Sequence, residues 1–532
     1  MALTENGAWG FSTTESKVLD LFSSGLLRNT SDADARRMFQ DAVDEDPKLA
    51  LKVLMNARDC RGGKGERRVV LSCLEWLRSK FPRTYEANLE AFVSVGTYRD
   101  LLDVVSRVYT DKAALKKEDA ANVPELKLYC KQLLADSEMV VESEDADKPE
   151  GDEDRKEEKD EGAKKKIAKS SISLAVKWAP SERKKYDKTH KLAKIMAEMI
   201  FPRDKRPQMR YRKMVSRLRK HLILVESQMS RKAWNAIDFA SVPAKAHSNY
   251  KKAFQRNCEG YSGYLGAVER GEKEIKSTGL QPHDLIRQYL HGGQTDKTAD
   301  AQWQSLVKRI EMKGSLQDAV AVVDVSGSMS GIPMEVAIAL GLLVSRLVSP
   351  PYRGRLITFH SDPSWHKVPM DKSLQEQVLS VRGMKWGMST NVYKVFKMIL
   401  DVALEARLPQ EALPKVLFIF SDMQFDEAND QEDYKTVYEH AKQSFASHGY
   451  QIPQIVFWNL RASECGSIPA QADTPGVAMV SGFSPDLLNV FMDGEIEKFS
   501  PYNVMLKTIE KYKVDLDPQE FSGEMKEGER EK

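Results

Sequence analysis

Cysteine is scarce in this 532-residue chain, and its spacing says as much as its number. Cys60, Cys73, Cys130, Cys258 and Cys465 are scattered, odd in number and never arranged as C-x-x-C. That pattern argues against a disulfide framework and against a thiolate zinc site. Long apolar runs are missing too. The longest, near Val336 to Val348, is interrupted by Ser345 and Arg346. It falls short of the roughly 20 residues that a membrane span needs and reads as a buried helix. The opening Met1-Ala2-Leu3-Thr4-Glu5-Asn6-Gly7 has neither the basic nor the apolar region of a secretory signal. Net charge is also small: 80 basic against 78 acidic side chains leave +2. A nucleic-acid surface must therefore be a local patch. These absences together lead to the expectation of a cytoplasmic protein, with the nucleus also open.

Catalytic signatures are lacking as well. Gly62-Gly63-Lys64-Gly65-Glu66 has a Walker-like look but no Ser or Thr after Lys64 and no buried strand before it. The run Gly327-Ser328-Met329-Ser330-Gly331 carries Met329 at its centre, so it is not a G-x-S-x-G elbow. An aspartyl phosphatase would want a second carboxylate where Ser326 stands. No catalytic residue can be named, and no enzyme is expected.

What is present falls into two regions, an α + α/β arrangement. Residues 1–316 are expected to be helical and repeat-like. Apolar residues recur at helical spacing in Val18-Leu19-Leu21-Phe22, in Ala50-Leu51-Val53-Leu54 and from Val69 to Leu77. Stacked helical hairpins give such a pattern. Residues 141–166 interrupt it with an acidic stretch ending in Lys164-Lys165-Lys166, where almost nothing is apolar; a disordered insert is expected there, a long solvated helix being the alternative. Residues 317–515 switch to short, uniformly apolar strands between helices, which indicates a parallel sheet covered on both faces, a doubly wound Rossmann-like fold. Residues 516–532 read as a disordered charged tail.

Ligands of doubly wound sheets sit at the carboxyl ends of the strands. There the first strand ends in Asp324-Val325-Ser326-Gly327-Ser328, a D-x-S-x-S motif whose alternate side chains point one way from an extended loop. Thr390 precedes a helix, and Asp422 directly follows the apolar strand ending at Phe420-Ser421. These are hard oxygen donors, suited to Mg²⁺ or Mn²⁺. The bland alternative is that Asp324 and Ser326 only cap the following helix; that leaves Thr390 and Asp422 without a role.

The arrangement resembles the von Willebrand factor A domain of integrins, the Ro autoantigen and chelatase subunits. The resemblance fills all five positions of that family's metal-ion-dependent adhesion site: Asp324, Ser326, Ser328, Thr390 and Asp422. It implies a bound divalent cation whose open position accepts an acidic residue from a partner protein. A helical region followed by such a domain is similar to the Ro architecture, in which a TROVE module, a ring of helical repeats, binds small non-coding RNA. The phrases Asn56 to Arg67, Gly96 to Leu102, Lys177 to Ser181 and Trp234 to Tyr250 resemble a diverged branch of that architecture, a domain-of-unknown-function family of plants, fungi and large viruses.

An RNA surface has two candidates. Laid on a helix, Arg206 to Val225 places Tyr211, Met214, Val215, Leu218, Leu222 and Val225 on one face and Arg206, Arg210, Lys213, Arg217 and Lys220 on the other. A basic stripe of this kind can track a phosphate backbone, or can simply be a solvated face. The second is the Gly-rich turn with Arg61, Lys64, Arg67 and Arg68, whose backbone N–H groups could cradle a phosphate or merely turn the chain. The function expected is a non-enzymatic, metal-dependent scaffold binding a partner protein and a small structured RNA. A protein-only adaptor and an accessory subunit of an ATP-driven, chelatase-like machine are the alternatives.

Overall fold

The computed structural model describes residues 2–109, 115, 117–146, 172–359, 363–384, 391–426, 436–462, 467–492 and 499–521. Most of the acidic insert, Thr390, Cys465 and residues 522–532 of the tail lie outside them. The helix Pro124–Ala146 continues six residues into the stretch where order was expected to end.

The chain forms two compact units. Unit 1 combines Met1–Cys73 with Asp238–Leu516, and unit 2 combines Leu74–Ile237 with Asp517–Lys532. The expected boundary at residues 316 and 317 thus falls inside unit 1.

A six-stranded sheet organises unit 1. A short hairpin, β1 (Ala2–Leu3) and β2 (Trp9–Gly10), precedes it. The sheet strands are β3 (Ala319–Asp324), β4 (Arg355–Phe359), β5 (Ser364–Lys367), β6 (Val416–Ser421), β7 (Gln454–Asn459) and β8 (Val477–Ser481). Their order is β5-β4-β3-β6-β7-β8, parallel throughout except for the antiparallel edge strand β5. Every residue of β3, β6 and β8 is buried, as strands covered on both faces must be. The helix Ile332–Leu347 packs closely on β3: a Cβ on Gly341 would lie 2.4 Å from Val323 Cγ2, so only glycine fits there.

Five of the six sheet strands match the apolar runs in the sequence. β5 does not, because Ser364, Trp365 and Lys367 are exposed and an edge strand needs no apolar signature. The helix Pro501–Ile509 also lies outside the expected elements. After the β1–β2 hairpin, the residues before Cys73 form helices, Asp32–Glu45 and Pro47–Arg58 among them.

Unit 2 is helical. The helix Pro207–His221 buries Tyr211, Met214, Val215 and Leu218, as its periodicity required. It ends earlier than expected: Ile223 takes φ +47°, and Val225 opens another short helix. Among the described residues no helix is long and apolar enough to cross a membrane.

Candidate functional site

Sheet register builds the site. Val323 lies beside Phe420, so the next residues, Asp324 and Ser421, stand side by side at the carboxyl ends of β3 and β6. The register carries Ser421 on to Asn459 and Ser481. Paired residues share a face of a sheet, so a polar row crosses four strand ends in an otherwise apolar core.

Asp324 is fully buried and both its oxygens are engaged. Oδ1 accepts the Ser326 N–H at 2.9 Å, and Oδ2 accepts the Ser421 hydroxyl at 2.5 Å. The Ser326 and Ser328 hydroxyls lie 3.0 Å apart. Asp422 is 2% exposed and accepts the Gln424 N–H at 3.2 Å. Between them Met423 takes φ +64°, which turns the chain sharply after β6. Burial, and then the neighbouring charge of Asp422, push the Asp324 carboxyl up to about 7. Two desolvated carboxylates with only neutral donors around the first favour a cation between them.

Four of the five expected ligands, Asp324, Ser326, Ser328 and Asp422, therefore gather at one place; Thr390 lies outside the described residues. Their chemistry fits a hard divalent cation. Among the described residues no three His, Cys, Asp or Glu side chains cluster as a metal site. With two carboxylates here among the described residues, hydroxyls would have to supply the remaining protein ligands, a set that Mg²⁺ accepts while keeping waters.

The rim was not legible in the sequence. Arg461 donates from Nη1 to the Ser328 carbonyl at 2.6 Å. The N-terminal segment docks on the loop after Asp422: Thr4 Oγ1 donates to the Phe425 carbonyl at 2.6 Å, and Asn6 Nδ2 to the Gln424 carbonyl at 2.8 Å. Asn29 exchanges two hydrogen bonds with Ala462, of 3.1 and 3.0 Å. A cavity of about 730 Å³ lies beside this rim, lined by Asp422 and Arg461 and by Asp34 and Arg37 of the helix Asp32–Glu45. The residue order of the strand tips held a signal for Ser421, since parity alone places it next to Asp324. Nothing in the sequence indicated the docking of Thr4 and Asn6.

The Gly-rich turn does not offer the phosphate cradle considered for it. The Asp59 carboxylate already takes the Arg61 and Gly62 N–H groups, at 2.9 and 3.0 Å. Lys64 N–H and Glu66 N–H go to the Asn56 and Ala57 carbonyls. A Cβ on Gly63 would meet the Asn56 carbonyl oxygen at 2.1 Å, so this glycine serves close packing. Lys64 leaves the set of phosphate-binding candidates. Its side chain is fully buried, and its ammonium donates to the Phe22 carbonyl and, at 2.7 Å, to Ser481 Oγ. It sits 4.9 Å from the centre of the Phe22 ring. Burial lowers its pKa to about 7, against the opposing charge of Glu66. Arg61 is exposed and Arg67 half-buried.

On the helix Pro207–His221 and at its cap, Arg206, Arg210, Lys213 and Lys220 are exposed, and Arg217 is half-buried. Arg210 is not idle: it pairs with Asp204 at 2.9 Å and lies 5.1 Å over the Phe201 ring. Arg219, on the same helix, holds the Ala179 and Val176 carbonyls at 2.7 and 3.2 Å and is structural.

Comparison with known proteins adds to this geometry. A crystal structure of the Ro (RSR) protein of Deinococcus radiodurans aligns over 94% of this chain and 100% of its own, at 13% identity and a TM-score of 0.38, too low to carry an argument. "Uncharacterized protein L728" of Acanthamoeba polyphaga mimivirus is 35% identical over 536 residues, covering 96% of this chain and 88% of the relative. Residues 318–526 match the family described as Domain of unknown function (DUF7788). Residues 4–169 and 127–316 match Domain of unknown function (DUF2828), and the chain belongs to that family, with the DUF7788 region at its C-terminal side.

Proposed function

We propose that the chain is a metal-dependent binding scaffold rather than a catalyst. In this reading the α/β region is a von Willebrand factor A-type domain. Asp324, Ser326, Ser328, Thr390 and Asp422 hold one Mg²⁺ or Mn²⁺, and an acidic residue of a partner protein completes its shell. The observation that carries the reading is the gathering of four hard-oxygen side chains at the ends of β3 and β6, with a buried carboxylate that no cation among the described residues neutralises by hydrogen bonding. No His, Lys or Cys belongs to the set, and in this reading its carboxylates and hydroxyls are engaged as metal ligands and not as base or nucleophile. Calorimetry on the full chain is expected to find one Mn²⁺ site, lost in Asp324→Ala. Unchanged Mn²⁺ binding in a folded Asp324→Ala, Asp422→Ala variant would end the proposal. Metal-dependent phosphatase or nuclease activity that disappears in Asp422→Ala would end its non-catalytic half.

A second activity, binding of a small structured RNA, is proposed for the helical region. Exposure of Arg206, Arg210, Lys213 and Lys220 opposite a buried apolar stripe supports it. The cytoplasm is the compartment proposed, in keeping with scattered cysteines and no membrane helix among the described residues.

A further inference from the structure

The edge strand β5 carries an aromatic ring and a cation on one face. His366 points toward the helix Leu374–Arg382, 3.2 Å from Ser380 Oγ, so its neighbours Trp365 and Lys367 point the other way. Trp365 is 37% exposed. It lies nearly parallel to Tyr352, with ring centres 6.3 Å apart and planes 16° apart. The Tyr352 hydroxyl donates to the Ala412 carbonyl at 2.7 Å, which fixes the supporting ring.

The charges beside the ring are of one sign. Register sets Lys367 directly opposite Arg355 of β4. Val368 N–H donates to the Gly354 carbonyl at 2.8 Å, so the next pair along, Arg355 and Lys367, is a non-hydrogen-bonded one. Side chains of such pairs stand closest together, and like charges directly opposite are destabilising. Both side chains are exposed, as is Arg353 in the turn before β4, and none of the three forms an ion pair among the described residues. Asp318, whose charge reaches Tyr352, is already paired with Lys415 at 2.8 Å. An edge lysine alone guards a sheet against pairing with another. That role explains neither the arginine opposite it nor the exposed, buttressed tryptophan.

An exposed ring beside cations without acids suits a single strand of nucleic acid, which offers a flat base to the ring and a phosphate to the charges. A duplex keeps its bases stacked inside and offers the phosphate alone. RNA is the single strand of the cytoplasm, and the choice of RNA over DNA rests on the compartment proposed above. We propose that the β4–β5 edge binds single-stranded RNA, with one base stacked on Trp365 and the adjoining phosphate held between Arg355 and Lys367. This surface belongs to the α/β region and is independent of the helix Pro207–His221.

The test uses the full chain and a uridine octamer, too short to form the structured RNA considered for the helical region. Filter binding is expected to weaken about tenfold in Trp365→Ala, as suits the loss of one stacked base, and to be largely restored in Trp365→Phe. The double variant Arg355→Gln, Lys367→Gln is expected to lower the log–log salt slope by about 0.7, the share of one phosphate on a single strand. All three side chains are exposed, so these variants are expected to fold. The octamer annealed to its complement should bind more weakly than the octamer alone. Irradiation of an octamer carrying iodouridine should leave its adduct on the peptide that contains Trp365. An adduct on the helix Pro207–His221 with none at Trp365, or equal affinities of wild type and Trp365→Ala, would overturn the proposal. Tighter binding of the deoxyuridine octamer would overturn its assignment to RNA.

Discussion

Lys64 carries the clearest consequence at the scale of one residue. Its two acceptors, the Phe22 carbonyl and the Ser481 hydroxyl, are both neutral, and Glu66, the nearest opposing charge, is itself paired with Arg28 at 3.1 Å. Burial depresses the folded-state pKa to about 7, whereas an unfolded lysine titrates near 10.4. Between those values the unfolded chain binds the extra proton, so stability rises with pH across the window and the penalty is fully present below it. Lys64→Met is expected to flatten that slope, by up to about 5 kcal/mol over the whole window. Chemical denaturation of wild type and variant from pH 7 to pH 10 measures it; parallel slopes would mean that the ammonium reaches water. The sequence could not separate this lysine from its neighbours. Gly-Gly-Lys-Gly looks the same whether the ammonium faces a phosphate or a carbonyl, and the deciding partners, Phe22 and Ser481, lie 42 and 417 residues away. Gly63 belongs to the same argument. Gly63→Ala must displace the Asn56 carbonyl and is expected to cost about 1–3 kcal/mol by overpacking, read as a lower denaturation midpoint.

At the scale of elements, legibility followed burial. β3, β6 and β8 announced themselves because a strand covered on both faces can only be apolar. The gathering of Asp324 and Ser326 at the tip of β3, and of Asp422 beyond β6, was legible for a related reason: polar side chains at the end of an apolar run stand out, whether or not they hold a metal. β5 and the β1–β2 hairpin were silent, since exposed or two-residue strands carry no pattern. The helix Pro207–His221 was legible in its buried face and over-extended at its end, where Ile223 leaves the helical region. If its outer face binds RNA, each phosphate contact should add roughly 0.7–0.9 to the log–log salt slope. Replacing Arg210, Lys213, Arg217 and Lys220 by Gln is expected to weaken binding across all RNA sequences, because phosphate contacts carry little sequence information. None of the four lies on the buried face, so the fold is expected to survive, apart from the small loss of the Arg210–Asp204 pair. Filter binding at two salt concentrations decides; equal affinities would remove this helix from any RNA site.

For the whole molecule, the α/β region does not stand alone within unit 1. The N-terminal 73 residues supply Thr4 and Asn6 to the loop after Asp422, Lys64 and the Phe22 carbonyl to Ser481, and Asp59 to the Tyr512 hydroxyl at 2.9 Å. A fragment of residues 317–516 is therefore expected to melt well below the full chain. A loss of about 5 kcal/mol lowers the midpoint of a domain of this size by roughly 10–20 °C. Calorimetric melting of fragment and full chain tests it, and coincident transitions would show that the first 73 residues are dispensable to the sheet.

The division of unit 1 into Met1–Cys73 and Asp238–Leu516 also fixes an order of events during synthesis. The first segment leaves the ribosome early, with Phe22, Leu51 and Leu54 among the side chains it must bury. Ser481 and Tyr512 emerge more than 400 residues later. At about 5–20 residues per second the wait lasts roughly 20–90 s. Throughout it the nascent N-terminus exposes a surface made for a sheet that does not yet exist. Ribosome-bound chains halted before β8 should accordingly hold their N-terminal helices open to protease and to chaperones that grip apolar segments, and chains released past Tyr512 should close them.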